Sequence, residues 1–308
     1  MEAPFDPFAG LSDEPDPGPA GALGALLDSA RRGYLPMRKI AVQRPNTEAV
    51  RASTISVLLG GRHHRPLDAW LLLHALQPVL TGSPLPLRTW ANLLSTKTHC
   101  TPSAASKAFA VLEDLNLVAR TKGGSTPQFD LLHEDGTGQP WTRPGVVEEA
   151  GPGYFALPHA YWTAGHADRL TLPGKTMLLI ILAETQNPKT PAFNMPVERA
   201  QQWYGISERS AERGYTDLHK AGLLLVRKTK VVDPRHPAGR RDVYWRALAH
   251  PFGTDDRARL QAAARNAARE NLGEAGTDPA TPAVPRRRRR PTPTATTGGN
   301  PFQENSPR

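Results

Sequence analysis

The stretch from Ser207 to Leu248 constrains this chain most: it opens SERSAERGYTDLHKAGLLLVRK and reads as one helix, a sharp stop and a basic hairpin. Ser207 suits the N-cap, because its hydroxyl can accept a hydrogen bond from an amide left without a partner in the first turn. Glu208 behind it complements the positive end of the helix. Helical spacing puts Ala211, Tyr215, Leu218 and Gly222 on one side and Arg209, Arg213, Thr216 and Lys220 on the other, with Glu212 flanking. Gly222 can take the left-handed conformation that ends a helix, and Leu223 to Val226 begin a strand. A loop rich in Pro, Gly and Arg then leads to a second strand, Val243 to Leu248.

The same grammar occurs earlier. Thr101 caps a helix with Pro102 at its first position, where the missing N–H costs nothing. Ala105, Phe109, Leu112 and Leu115 form its inner face, Asn116 ends it, and a hairpin follows over Leu117–Lys122 and Gln128–Leu132. Thr101 pairs with Ser207, Phe109 with Tyr215, Leu112 with Leu218, Asn116 with Gly222 and Leu117 with Leu223, always at an offset of 106 residues. Cap, core, stop and strand start recur in order, as two copies of one supersecondary unit would.

Around these copies the chain divides readily. Residues 1–30 read as a disordered acidic tail, with a short Ala/Leu helix possible over 21–30; residues 1–20 hold five acids, five prolines and no Lys or Arg. Residues 31–65 carry eight Lys/Arg against the single Glu48 and read as a basic arm: either a solvated linker or an arm lying along phosphates. The first folded unit spans 66–133. It has a helix from Asp68 carrying Trp70, Leu73, His74 and Leu76, ended or kinked at Gln77-Pro78, and a second helix over 86–95. Residues 134–152 read as a linker, and the second unit spans 153–250. In it, a strand at Tyr154–Leu157 and an all-round apolar helix over 175–185 precede a short helix from Pro196 to Tyr204. Thr254 caps a C-terminal helix over 254–272, and 273–308, around Arg286–Arg290, reads as a disordered tail. The fold class expected is mainly α with small β-hairpins, an α+β chain of two domains.

Charge bears on the partner. The chain carries 38 Lys/Arg against 29 Asp/Glu, which favours nucleic acid. From Pro196 to Leu248 the net charge is +5, from eleven cations and six acids, whereas from Pro66 to Leu132 it is +1. The second copy is therefore the expected reader: Arg209, Glu212, Arg213, Thr216 and Lys220 toward base edges, and Arg227, Lys228, Lys230, Arg240 and Arg241 of the hairpin toward phosphates. In the first copy Ser103, Lys107 and Lys122 are the equivalent candidates. The alternative for such a face is a solvated helix surface.

Other chemistry finds little support. The lone Cys100 excludes an internal disulfide and points to a reducing, cytoplasmic setting, nucleoid-associated if DNA is the partner. No apolar run approaches a membrane span, and the acidic N-terminus is unlike a signal peptide. Gly174-Lys175-Thr176 ends like a phosphate-binding loop but lacks its first glycine, Arg169 standing there. His133-Glu134-Asp135 lacks the alternating carboxylates of a calcium loop, and the histidines have no metal-ligand spacing. No catalytic set, cofactor or metal is expected.

Through SAASKAFAVLEDLNLVAR, LTLPGKTMLLIILAETQ and GISERSAERGYTDLHKAGLL, over about residues 66–250, the chain resembles the tandem winged helix-turn-helix DNA-binding proteins common in high-GC actinobacteria. That resemblance implies two winged helix domains, a third helix in the major groove and double-stranded DNA as partner, with a homodimer possible. Some such proteins are transcriptional regulators of MarR or GntR type and others are plasmid replication initiators. A regulator is the first expectation and an initiator binding origin repeats the second. A protein-binding adaptor is the third, since the first copy's near-neutral face would suit one. Two copies with no effector domain depart from ordinary regulators.

Overall fold

The computed structural model describes residues 16–45, 51–95, 98–123, 126–145 and 153–275. Helix α1 (Gly18–Ser29) leads into strand β1 (Tyr34–Arg38), buried over its whole length, and after a 3-10 turn at Lys39–Ala41 comes α2 (Thr54–Gly60). The first copy of the repeat consists of α3 (His64–Leu80), α4 (Leu87–Leu93), α5 (Pro102–Asp114), β2 (Val118–Gly123) and β3 (Thr126–Leu131). Then follow β4 (Tyr154–Pro158), α6 (Ala160–Thr163), α7 (His166–Arg169) and α8 (Leu172–Glu184). A 3-10 turn at Val197–Arg199, α9 (Ala200–Tyr204), α10 (Glu208–Lys220), β5 (Leu224–Val232), β6 (Arg240–Leu248) and α11 (Thr254–Ala275) complete the described chain. The strands form three antiparallel pairs, β1 with β4, β2 with β3 and β5 with β6, so the described architecture is α+β.

The internal repeat holds at the level of backbone. Helices α5 and α10 begin 106 residues apart (102 to 208) and end 106 apart (114 to 220), and β2 and β5 start at the same offset (118 to 224). The caps are equivalent: Thr101 Oγ1 accepts from the Ala104 N–H and Ser207 Oγ from the Ser210 N–H, both at 3.2 Å. Asn116 (φ +54°) and Gly222 (φ +72°) make the left-handed stops. Helix α3 runs two residues beyond Pro78, and it starts at His64, ahead of the Asp68 expected to cap it.

The described parts of the segments expected as tail, arm and linker are built into the fold. Helix α1 packs on α3 and α4 with Leu27 buried; residues 1–15 of the expected tail lie outside the described residues. Residues 46–50 of the basic arm over 31–65 lie outside the described residues, and its described parts are neither a solvated linker nor a free arm. Its first part is β1, paired with β4, and its last part, α2, packs between α3 and α8. Pro36 argues against a strand in sequence, yet it sits opposite Ala156 at a non-hydrogen-bonded position of the pair, where its missing N–H is not needed; the Ala156 N–H likewise points away from β1 and donates to Gln186 Oε1 at 3.1 Å. The described part of the linker is equally occupied. Glu134 is fully buried, and its carboxylate meets the Arg38 guanidinium at 2.7 Å. Residues 146–152 lie outside the described residues.

As a result the two copies are not separate domains. Buried residues of both belong to one hydrophobic cluster, and the chain up to Ala267 clusters as one compact unit. Between α3 and α8, Lys175 Nζ lies 2.6 Å from the Asp68 carboxylate, with both side chains largely buried. Burial pushes the Asp68 carboxyl up, against the pull of Lys175. Lys175 and Thr176 are thus interior groups of a helix. From Ala268 on, the described part is the end of α11, which passes the expected residue 272. The cap expected at Thr254 differs as well: its hydroxyl donates to the Thr185 carbonyl at 3.1 Å, at the far end of α8. Arg257, with no exposed surface, closes the same end. Its N–H groups donate to the carbonyls of Leu182, Thr185 and Phe252 at 2.8–3.0 Å, where the negative end of the helix dipole favours a cation. Desolvation lowers its guanidinium to about 10, which leaves it charged at neutral pH.

Candidate nucleic-acid interface

Helix α10 is held by α8 underneath it. Its buried face is Ala211, Gly214, Tyr215 and Leu218. A Cβ at Gly214 would lie 2.2 Å from Met177 Cγ and 2.6 Å from the Pro173 carbonyl, so glycine is what lets the two helices approach this closely. Asp217 then reaches the start of α8 and accepts from the Thr171 N–H at 2.7 Å and its hydroxyl at 2.8 Å. The hairpin is tied to the same helix: the Arg246 guanidinium lies 3.9 Å from the centre of the Tyr215 ring and donates to the Met195 carbonyl at 3.2 Å. Burial pushes the Tyr215 hydroxyl up to about 12, so it stays protonated.

What remains outward is the expected set. Arg209, Glu212, Arg213, Thr216 and Lys220 are all exposed, and together with His64, Thr171 and Pro173 they line one open groove of about 680 Å³. At the helix start a second hollow of about 440 Å³ joins Ser207, Ser210 and Arg213 to Leu59, Gly60 and Arg62 from the α2–α3 corner. Arg62 is exposed and holds φ at +54°, a strained value for a residue with a side chain. The cation that the arm contributes near α10 is therefore Arg62, at its folded end; Arg38 at its other end is buried.

On the hairpin Arg227, Lys228, Lys230, Arg240 and Arg241 are exposed. Two of them are paired, Lys228 with Asp242 at 2.7 Å, which raises the lysine's proton affinity, and Arg241 with Asp233 at 3.2 Å. Arg209, Arg213, Lys220, Arg227, Lys230 and Arg240 have no ion-pair partner among the described residues, so their charge faces solvent undiminished. The first copy is different. Ser103 and Lys107 are exposed on α5, but Arg120 is held by Glu113 at 2.6 Å and covers the Phe129 ring. Lys122 lies in β2, and its side chain falls outside the described residues.

Sequence reasoning missed the α2–α3 corner and two aromatic residues of the hairpin. Tyr244 and Trp245 are 43% and 39% exposed, and the run RRDVYWR, with rings between cations, was the signal that could have found them. Among the described residues there is no group of three His, Cys, Asp or Glu able to hold a metal ion, and no helix long and apolar enough to cross a membrane. Cys100 is buried, and burial pushes its thiol up, away from the reactive thiolate. Comparison with protein-family models, with curated proteins and with solved structures finds no match for this chain.

Proposed function

We propose that the protein is a sequence-specific binder of double-stranded DNA built from two winged helix-turn-helix modules, and that it regulates transcription. In this reading α10 enters the major groove, the β5–β6 hairpin lies along phosphates and the α2–α3 corner adds Arg62 at the edge of the site. The observation that carries it is the outward face of α10. On that face three cations without partners, with Glu212 and Thr216, line a single groove that Asp217 and Thr171 edge, beside a hairpin bearing further free cations. Arg is the commonest reader of guanine and Glu accepts from cytosine, so that face has the chemistry for base recognition.

A replication initiator binding origin repeats is the second reading. The union of both copies in one compact unit favours it, because fixed modules dictate the spacing between half-sites. Selection from a random DNA library followed by a salt titration of the best site tests both. Each phosphate neutralised adds about −0.9 to the slope of log K against log salt. A defined motif with a steep slope supports specific reading, and repetition of that motif separates initiator from regulator. Binding without a motif leaves a non-specific cationic protein. Absence of binding moves the protein-binding adaptor to first place.

A further inference from the structure

We propose that the β5–β6 hairpin binds unpaired nucleotides where a duplex opens, with Tyr244 serving one face of the ribbon and Trp245 the other. The proposal rests on the DNA-binding reading above and extends it from duplex to opened DNA. Each strand has nine residues, yet only Leu224, Val243 and Leu248 are buried. Of the large hydrophobic residues that are exposed among the described residues, all but Val57 belong to this hairpin, and they reach 71% exposure at Val232. A hairpin that met only phosphates would gain nothing from such a surface, and water contact with it is unfavourable.

The register arranges the rings. Successive strand residues point to opposite faces, so Tyr244 and Trp245 lie back to back. Tyr244 is opposite Lys228, whose ammonium is 5.7 Å from the ring centre, and Trp245 is opposite Arg227. The indole N–H of Trp245 donates to Thr229 Oγ1 at 3.1 Å, which steadies the ring on its face. Each face thus offers one ring beside one cation.

Charge and pattern decide the occupant. A second copy of the ribbon would bring like charges together, since its cations outnumber its acids. A lipid surface needs an apolar face segregated from the cations, whereas here both faces mix the two. Unpaired nucleotides supply phosphates for the cations and open base faces for the rings, which stacked duplex bases do not. Two faces suit the two strands of a fork.

The test is fluorescence anisotropy with the full chain, comparing a duplex that carries the selected site with the same duplex ending in a fork. We expect the fork to bind about 10-fold tighter, in the range of stacking on one or two rings. Tyr244→Ala and Trp245→Ala should each reduce that preference, and the double variant should abolish it by weakening the fork more than the duplex. Arg213→Ala should weaken both DNAs alike. Equal affinity for fork and duplex, or alanine variants that weaken both equally, overturns the proposal. So does a fork preference that survives the double variant, or Trp245-dependent self-association or binding to anionic vesicles without fork preference. Absence of binding to any DNA removes the DNA-binding reading itself, whereas duplex binding without fork preference removes the ribbon proposal alone.

Discussion

Replacing Glu134 by Gln asks whether the charge of the basic arm is a structural element or a DNA contact. Arg38 is 4% exposed and Glu134 not at all, and one guanidinium nitrogen lies 2.7 Å from the carboxylate. The other guanidinium nitrogen donates to the Thr142 carbonyl at 2.9 Å and hydroxyl at 2.7 Å, while Glu134 accepts from the Trp141 indole at 3.1 Å. Gln keeps the shape and can still accept from Trp141, but it removes the carboxylate charge that faces the buried guanidinium. Removing one partner of a buried pair costs about 3–5 kcal/mol, and the bonds to Thr142 place the expectation at the lower end, about 3 kcal/mol. For a chain of this size each kcal/mol lowers Tm by about 2–4 °C, so scanning calorimetry should show a fall of roughly 6–12 °C. The double variant Arg38→Met/Glu134→Leu should recover most of that loss, because an apolar pair avoids the desolvation penalty. A fall below about 2 °C for Glu134→Gln would refute the reasoning. An Arg38→Ala variant that flattened the salt dependence of DNA binding at unchanged Tm would return the arm to the phosphates.

The remaining expectations use other parts of the molecule. Arg209→Ala with Arg213→Ala should abolish the selected motif, at about 1–3 kcal/mol for each lost base contact; a larger loss from Lys107→Ala in the same selection would transfer the reading role to the first copy. Arg257→Met removes the guanidinium donors from the carbonyls of Leu182 and Phe252 and leaves the Thr185 carbonyl with the Thr254 hydroxyl alone, and urea titration should show a loss of about 3 kcal/mol; an unchanged midpoint would mean that water or another donor replaces the guanidinium. His74 lies edge-on between Trp70 and Trp141 and His159 is also buried; burial lowers both to about 4 from the usual 6.5. Because the folded-state values lie below the unfolded one, their stabilising contribution is full above about pH 6.5 and is lost as pH falls toward 4. Each group contributes about 1.4 kcal/mol per pH unit at most. Urea midpoints measured from pH 7 to 5 should therefore fall, His74→Leu should reduce the slope, and a flat profile in the wild type would contradict the burial of both rings.

What the sequence determined by itself is what depends on groups within about four residues of each other. The caps at Thr101 and Ser207, the stops at Asn116 and Gly222 and the two faces of α10 follow from local hydrogen bonding and helical period, and all were legible. The cations of the second copy were legible as a set because one helix and one hairpin carry them. Tertiary structure alone decided where the charged segments outside these elements go. Arg38 and Arg62 look alike in a single sequence, both within a segment whose charged residues are cationic except for Glu48. One is buried because Glu134 comes back to meet it, and the other is exposed beside α10 because α2 packs on α8 and α3. The strand at Tyr34–Arg38 was hidden by Pro36, which is admissible because it falls at a non-hydrogen-bonded position of the β1–β4 pair, where no ladder N–H is needed. Such outcomes depend on partners remote in sequence, and neither residue type nor spacing encodes which partner closes the loop.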